Sequence, residues 1–93
     1  MKKLDKHEFE LEGKLIFKGG SFFEDEILQR IKELKDSYLH KIAADSSGWG
    51  TLYRDPYDGR FWELIYPDSE AQGGGACTLR TISAEEAQKR YIF

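Results

Sequence analysis

The chain has 93 residues, a hydrophobic content of 40% and a net charge of −3 at pH 7. This length is typical of one domain, and the apolar content suffices for one core, which argues against intrinsic disorder. The mild acidity disfavours a nucleic-acid-binding protein, whose surface usually carries a basic patch, and it permits a basic protein partner.

Cysteine use and apolar runs bear on where the protein works. Cys77 is the single cysteine, so no intramolecular disulfide framework exists, and a lone thiol suits a reducing cytoplasm. No apolar run approaches the roughly 20 residues of a membrane span, and no apolar segment of a secretory signal follows the basic residues 1–7. We therefore expect a cytoplasmic protein without membrane contact. It is expected to form a single domain over residues 1–93, with residues 1–6 as a frayed lead-in.

The first regular pattern is an alternation of apolar and polar residues over residues 9–17. Period two predicts a half-buried strand, or two strands bent at Gly13, and the residues around Gly13 favour a hairpin with its turn at 12–14. The opposite phase carries three glutamates, Glu8, Glu10 and Glu12. This acidic stripe is either a solvated strand face or a patch that complements a basic partner.

An amphipathic helix is predicted next, from about Phe22 to Ala43. Ser21 stands three residues before Glu24, which is the spacing of a capping box. Apolar residues then recur in steps of three and four, the period of a helix that packs one face against a core. This stripe comprises Ile27, Ile31, Leu34, Tyr38 and Ile42. We expect the helix to cover a sheet.

Two strand-like runs, Thr51–Arg54 and Arg60–Tyr66, flank the segment Asp55–Gly59. The proline of that segment fixes φ, its aspartates can accept hydrogen bonds from nearby backbone N–H groups, and Gly59 tolerates a positive φ. These features predict a β-hairpin. Both phases of the second run carry apolar residues, which predicts a central strand covered on each side.

The rest of the chain predicts a loop, a strand and a helix. Gln72–Gly75 is a glycine-rich connection, and Thr78–Ile82 is a β-branched strand. Ser83 stands three residues before Glu86, a second capping-box spacing that begins a short helix. The expected fold class is α+β: a small antiparallel sheet of four or five strands, one long amphipathic helix packed on a face and a short C-terminal helix. We expect both helices on the same face.

Signatures of catalysis are weak in this sequence. His7 and His40 lie far apart, and Cys77 pairs with neither at the spacing of metal ligands, so we expect no metal site. Cys77 is either a nucleophile or, more commonly for such a residue, a small buried side chain. The Gly73–Gly75 run could cradle an anion, but it lacks the Gly-Lys-Ser/Thr ending of a phosphate-binding loop and suits a flexible connection.

Charged residues cluster around the predicted turn: Arg54, Asp55, Asp58, Arg60 and Glu63. Aspartates in a turn usually serve the turn itself. Exposed ion pairs stabilise a protein by at most about 1 kcal/mol each, so stability is a weak reason for so many charges. The cluster therefore indicates function, either as a contact surface for a partner or as the polar groups of a ligand-binding or catalytic cleft.

The longest motif runs through this hairpin: Ser47-Gly48-Trp49, then Leu52-Tyr53-Arg54-Asp55-Pro56-Tyr57-Asp58-Gly59-Arg60-Phe61-Trp62-Glu63, then Pro67 and Gly73-Gly74-Gly75. It resembles the signature of the immunity protein 27 family of bacterial polymorphic toxin systems, and weaker similarity extends from about Leu11 to Tyr91. One departure is that Ala76-Cys77 follow the glycines, where the family commonly has prolines. The resemblance implies a non-catalytic protein without a cofactor, which binds a cognate toxin domain stoichiometrically and neutralises it.

On this resemblance, the toxin is expected to meet the exposed parts of the hairpin and the glycine-rich loop. The expected contact residues are Tyr53, Arg54, Asp55, Tyr57, Asp58, Arg60, Glu63, Gln72, Gly73 and Gly74. Four residues are expected to shape the scaffold: Trp49, Pro56, Gly59 and Trp62. The alternative function is a small ligand-binding domain or enzyme, which a concave pocket joining Arg54, Arg60 and Glu63 would favour. An exposed apolar patch well above a few hundred Å² would instead indicate a subunit of a larger assembly.

Overall fold

The computed structural model of the chain describes residues 3–46, 50–66 and 76–93. In these ranges it contains β1 (Glu10–Glu12), β2 (Leu15–Lys18), β3 (Ser21–Glu24), α1 (Glu26–Ser37), β4 (His40–Ala44), β5 (Thr51–Arg54), β6 (Phe61–Ile65), β7 (Thr78–Ile82) and α2 (Ala84–Arg90). The expected α+β class is therefore confirmed.

Five antiparallel strands form the main sheet, in the order β1-β7-β6-β5-β4. β5 and β6 pair as the predicted hairpin, with Arg54 opposite Phe61 next to the turn. β6 lies in the middle, and its consecutive residues Trp62, Glu63 and Leu64 are all buried. Consecutive strand residues point to opposite faces, so both faces of β6 are covered, as the sequence predicts.

The two helices cover opposite faces of this sheet. α1 packs its buried residues into a core cluster that includes Trp62 and Leu79. α2 packs Ala87 into a second cluster, together with Leu52. Leu52 and its neighbour Tyr53 belong to different clusters, as adjacent residues of a strand should. The expectation that both helices share a face is wrong, because a sheet with apolar residues in both phases needs a cover on each side.

The hairpin expected at Gly13 does not form. β1 pairs with β7, with Leu11 opposite Leu79, whereas β2 pairs with β3 in a separate two-stranded ribbon. The turn of this β2–β3 ribbon is Gly19-Gly20, whose φ values of 61° and 82° suit glycine. Two glycines between apolar runs strongly favour a two-residue hairpin turn, and this preference outweighs the turn expected at 12–14.

The helix predicted over residues 22–43 is too long at both ends. α1 begins after Asp25, whose Oδ1 caps the helix by accepting a 2.7 Å hydrogen bond from the amide of Leu28. The residues before Asp25 form β3, and those after the helix lead into β4. The apolar spacing continues past the helix only by coincidence, since Ile42 packs in the cluster on the opposite face of the sheet.

The last strand and the second helix match the sequence prediction. β7 has the predicted bounds, Thr78–Ile82. Ser83 caps α2, because its Oγ accepts a 3.1 Å hydrogen bond from the amide of Glu86. The second capping-box spacing is therefore used by the fold, whereas the first one, before Glu24, is not.

Candidate protein-binding surface

The turn between β5 and β6 is built by two aspartates and a glycine. The carboxylate of Asp55 accepts a 2.8 Å hydrogen bond from the amide of Tyr57. That of Asp58 accepts a 3.0 Å hydrogen bond from the amide of Arg60. The amide of Gly59 donates to the carbonyl of Asp55 at 2.9 Å, and its φ of 77° suits glycine. The aspartates therefore serve the turn itself.

Asp55 also ties this turn to the end of α1. Its Oδ1 accepts a 2.6 Å hydrogen bond from the hydroxyl of Tyr38, and the residue is only 1% exposed. Burial raises the pKa of Tyr38 to about 12, and the Asp55 carboxylate adds to this effect. The other carboxylate oxygen, Oδ2, is buried and has no hydrogen-bond partner among the described residues. Asp55 is thus an internal group that joins two elements.

Arg60 fastens the N-terminal segment to the sheet. Its guanidinium donates to the carbonyl of Glu8 at 2.6 Å and to the carbonyl of Asp5 at 3.0 Å. It also forms an ion pair with Asp58 at 2.6 Å. Leu4, in the segment expected to be frayed, is buried in the cluster that α1 covers. The N-terminal segment is therefore packed against the rest of the protein at Leu4, Asp5 and Glu8.

Glu63 lies in the interior on the α2 side of the sheet. Its carboxylate accepts hydrogen bonds from Arg90 Nη1 at 2.8 Å and from Arg80 Nη2 at 3.0 Å. The hydroxyl of Tyr91 donates a third, at 2.8 Å. Burial raises the pKa of Glu63, but these donors outweigh burial and hold its pKa below the ordinary value. The network keeps an ionised carboxylate inside the protein.

Apart from the ion pair of Arg60 with Asp58, the charged residues expected to cluster around the turn are divided between the two faces of the sheet. Arg60 lies over the Trp62 ring on the α1 side, 4.9 Å from the ring centroid, whereas Glu63 contacts α2. Arg54 lies on the α2 side, 5.9 Å from the ring centroid of Phe61. An open groove of about 420 Å³ is lined by Arg60 but by neither Arg54 nor Glu63. The cleft that would favour an enzyme is therefore not built by these residues.

The expected contact residues fall into three groups. Exposed or partly exposed are Arg54, Tyr57, Asp58 and Arg60, with Tyr57 exposed by 89%. Buried are Tyr53, Asp55 and Glu63. Outside the described residues are Gln72, Gly73 and Gly74. The side chains of the second group are engaged inside the protein, so the exposed first group offers the more accessible contact surface.

Three of the four residues expected to shape the scaffold are described. Trp62 is completely buried in the core cluster that α1 covers. Gly59 has a positive φ, and Pro56 is exposed within the turn. Trp49 lies outside the described residues.

The acidic stripe expected near the N-terminus is interrupted by an ion pair. Both carboxylate oxygens of Glu8 lie 2.6 Å from the guanidinium of Arg30 in α1. Glu10 and Glu12 are exposed on β1, at one edge of the main sheet. The stripe is therefore reduced to two exposed glutamates.

Reactive groups are sparse in the described part of the chain. Within residues 3–46, 50–66 and 76–93, no group of three or more His, Cys, Asp and Glu residues could hold a metal ion. Cys77 is a free, buried thiol, and burial raises its pKa, which disfavours the nucleophilic thiolate. No helix in the same ranges is long and apolar enough to cross a membrane.

A second candidate surface, the β2–β3 ribbon, is not among the residues expected from the sequence. Its exposed apolar residues are Leu15, Ile16, Phe17, Phe22 and Phe23. The rings of Phe17 and Phe22 contact each other, with their centroids 5.0 Å apart. The signal that identifies the ribbon in the sequence is the Gly19-Gly20 pair between two apolar runs.

A family model described as Immunity protein 27 matches residues 17–83, well over half of the 93 residues. The matched range extends from the end of β2 to the end of β7. It therefore includes the turn between β5 and β6 and most of the β2–β3 ribbon. No curated protein and no solved structure matches the chain.

Proposed function

Because the chain belongs to the immunity protein 27 family, we propose that it neutralises a cognate bacterial toxin domain by binding it in a stoichiometric complex. The family match over residues 17–83 is the observation that carries this proposal. The internal charged and polar groups support it, because Glu63 and Asp55 are engaged with neighbouring side chains rather than directed into a cleft. An inhibitor that acts by contact needs a stable surface and no reactive group.

Part of the contact surface is proposed at the turn between β5 and β6. Tyr57 stands out from this turn, and Arg54 and Asp58 are exposed beside it. Tyrosine and arginine are enriched among the residues that contribute most to protein binding. Charged groups around such a residue steer the approach of a partner of opposite charge. We also keep residues 72–74 as predicted contacts of the toxin.

The proposal sets the complex in the cytoplasm of the producing bacterium, with no cofactor and no catalysis by this chain. The free thiol of Cys77 supports a reducing compartment. The net charge of −3 is compatible with capture of a basic toxin. Covering the active site of the toxin, or blocking its closure, would suffice for protection.

Co-expression tests this function. The probe is the toxin domain encoded immediately upstream of this chain, produced in cells with and without the chain. We expect growth to return when the chain is present, and a one-to-one complex to be isolated by size-exclusion chromatography with light scattering. The same gene with an early stop codon is the control, because it supplies the RNA without the protein. Continued killing in the presence of the folded chain, with no complex isolated, would contradict the proposal.

A further inference from the structure

The β2–β3 ribbon exposes three phenyl rings to solvent. Phe17, Phe22 and Phe23 are exposed by 64%, 58% and 55%, and Ile16 is exposed by 50%. A phenylalanine side chain buries about 150–250 Å² when it is fully covered. At their exposed fractions, the three rings together present roughly 300 Å² of apolar surface to solvent. Larger exposed apolar patches than a few hundred Å² usually mark an interface. Ile16 adds to this apolar area, which is divided between the two faces of the ribbon.

The base of the ribbon is fixed to α1, so the two strands that carry the exposed rings are anchored there. The amide of Asp25 donates to the carbonyl of Lys14 at 3.0 Å, and its Oδ1 accepts from the amide of Lys14 at 3.2 Å. Glu24, the last residue of β3, forms an ion pair with Lys32 of α1. The carbonyl of Glu24 also accepts a 3.0 Å hydrogen bond from Gln29. A surface that is ordered before binding loses less entropy on association.

Both faces of the ribbon are apolar. Phe17 is paired with Phe22 across the two strands, and Ile16 is paired with Phe23. Neighbouring residues of a strand point to opposite faces, so the two pairs lie on opposite sides of the ribbon. A flat partner surface could cover only one of these pairs. A partner that covers both needs a cleft that receives the ribbon.

Exposed lysines flank β2, whereas the carboxylates at the end of β3 are engaged within the protein, Glu24 with Lys32 and Asp25 with the amide of Leu28. Lys14 and Lys18 are exposed, one before β2 and one at its end, while the whole chain carries a net charge of −3. The carboxylate of Glu24 is paired with Lys32. Acidic groups in a partner would complement the two lysines. A second copy of this chain would bring two more lysines to the same interface, and like charges there disfavour it.

We propose that the β2–β3 ribbon anchors the toxin complex by inserting into an apolar cleft of the toxin domain whose mouth is acidic. This inference rests on the proposed function and adds where and how the toxin is held. A standard interface buries about 800 Å² on each partner, so the ribbon supplies the apolar centre and other residues supply the rim.

The ribbon is well separated from the turn between β5 and β6. Asp25, at the base of the ribbon, caps the start of α1, whereas Tyr38, at the other end of α1, binds Asp55. A helix of 12 residues is about 18 Å long. Substitutions at the two places therefore test separate parts of the surface.

Two double variants test the two faces of the ribbon: Phe17→Thr with Phe22→Thr, and Ile16→Thr with Phe23→Thr. Threonine keeps the β-branched character that strands favour. The probe is the toxin domain encoded immediately upstream, and affinity is measured by isothermal titration calorimetry. We expect each double variant to bind at least about 100-fold more weakly, because a central aromatic or aliphatic anchor contributes about tenfold or more.

A matched aromatic substitution and a charge reversal complete the set. Tyr57→Thr removes an aromatic ring from the turn between β5 and β6, the other part of the proposed contact surface, and we expect it to weaken binding less than either ribbon variant does. Lys14→Glu with Lys18→Glu tests the acidic mouth of the cleft. We expect this pair to slow association by about tenfold or more at low salt, with a smaller effect at high salt.

Hydrogen exchange on the unchanged protein tests the same inference without a substitution. We expect the amides of residues 15–24 to gain protection when the toxin domain is bound. If a ribbon variant unfolds, as judged by circular dichroism, this exchange measurement decides in its place.

Four results would overturn the inference. Folded ribbon variants that bind as tightly as the unchanged protein, or a ribbon that gains no protection, reject the ribbon as the anchor and leave the proposed function standing. A dimer of the unchanged protein that the ribbon substitutions break identifies a second copy as the occupant. Failure of the unchanged protein to bind the toxin domain removes the proposed function and this inference together.

Discussion

The hydroxyl of Tyr91 donates a 2.8 Å hydrogen bond to Oε2 of Glu63 in the interior of the protein. Tyr91 directly follows α2, and Glu63 lies in the central strand β6, so this bond joins the C-terminal segment to the middle of the sheet. Arg80 and Arg90 supply the other donors to the same carboxylate. A buried charge is tolerable only while such donors are in place, so α2 and β6 depend on each other.

Tyr91→Phe removes the hydroxyl and keeps the ring. We expect it to lower the free energy of unfolding by about 1–3 kcal/mol, because it leaves a buried carboxylate oxygen with fewer donors. Urea denaturation followed by circular dichroism measures this. Tyr57→Phe is the matched control, because its hydroxyl is on a residue exposed by 89%, and a change within about 0.5 kcal/mol is expected there. Equal effects of the two substitutions would contradict the role given to Tyr91.

Acid should destabilise the protein partly through Glu63. Burial raises the pKa of this carboxyl, but the hydrogen bonds from Tyr91, Arg80 and Arg90 outweigh burial and lower its pKa from the ordinary 4.5. A carboxyl with a depressed folded-state pKa contributes stability above its unfolded pKa, and that contribution is lost as pH falls through the folded pKa. We therefore expect the free energy of unfolding to fall as pH decreases below about 4.5.

Glu63→Gln checks this assignment. The variant is expected to be less stable at neutral pH, because Arg80 and Arg90 lose the charge they face, and to show a shallower acid decline than the unchanged protein. Glu85→Gln, at an exposed position of α2, is the control and should keep the full decline. Urea denaturation at stepped pH measures all three proteins. An undiminished acid decline in Glu63→Gln would show that other carboxyls cause it.

The parts of the fold that local chemistry decides were predictable from the sequence. The turn from Asp55 to Gly59 closes through bonds between residues two to five positions apart, so proline, aspartate and glycine in that order suffice to indicate it. Ser83 likewise caps α2 through the residue three positions later. The exposure of Tyr57 was predictable from the same reasoning, because this residue lies at the tip of the turn.

Long-range pairing decided the parts that the sequence did not predict. β1 finds its partner in β7, so the alternation over residues 9–17 could not show that it belongs to two separate sheets. The partners of Glu63 are 17, 27 and 28 residues away in the sequence, so local spacing placed this residue in a surface cluster around the turn. Local spacing also misled at Phe22-Phe23, which follow the first residue of a capping-box spacing but pair with β2 across two glycines.

Gly13 should be intolerant of any side chain. A Cβ at this position would lie 2.8 Å from the carbonyl oxygen of Cys77 and 2.9 Å from Cδ1 of Leu28. We expect Gly13→Ala to lower the free energy of unfolding by about 1–3 kcal/mol. The added methyl group would push the backbone at Gly13 away from Cys77 and from Leu28 of α1. Gly19→Asn is the control, since a Cβ there would have open space and asparagine tolerates its φ of 61°. Thermal and urea unfolding measure both variants, and a neutral Gly13→Ala would contradict the close packing.

We expect the side chain of Arg60 to hold the N-terminal segment in place rather than to contact the proposed toxin. Its guanidinium donates to the carbonyls of Glu8 and Asp5 and pairs with Asp58, and lysine cannot reproduce such a planar set of donors. We expect Arg60→Lys to destabilise the protein by about 1–2 kcal/mol and to speed hydrogen exchange at the amides of residues 7 and 8. Binding to the toxin domain should change by less than about threefold, as at a position outside the interface core. Arg54→Lys, at an exposed position of the same hairpin, should leave that exchange unchanged. A large loss of toxin affinity with unaltered exchange in Arg60→Lys would instead place this guanidinium in the interface.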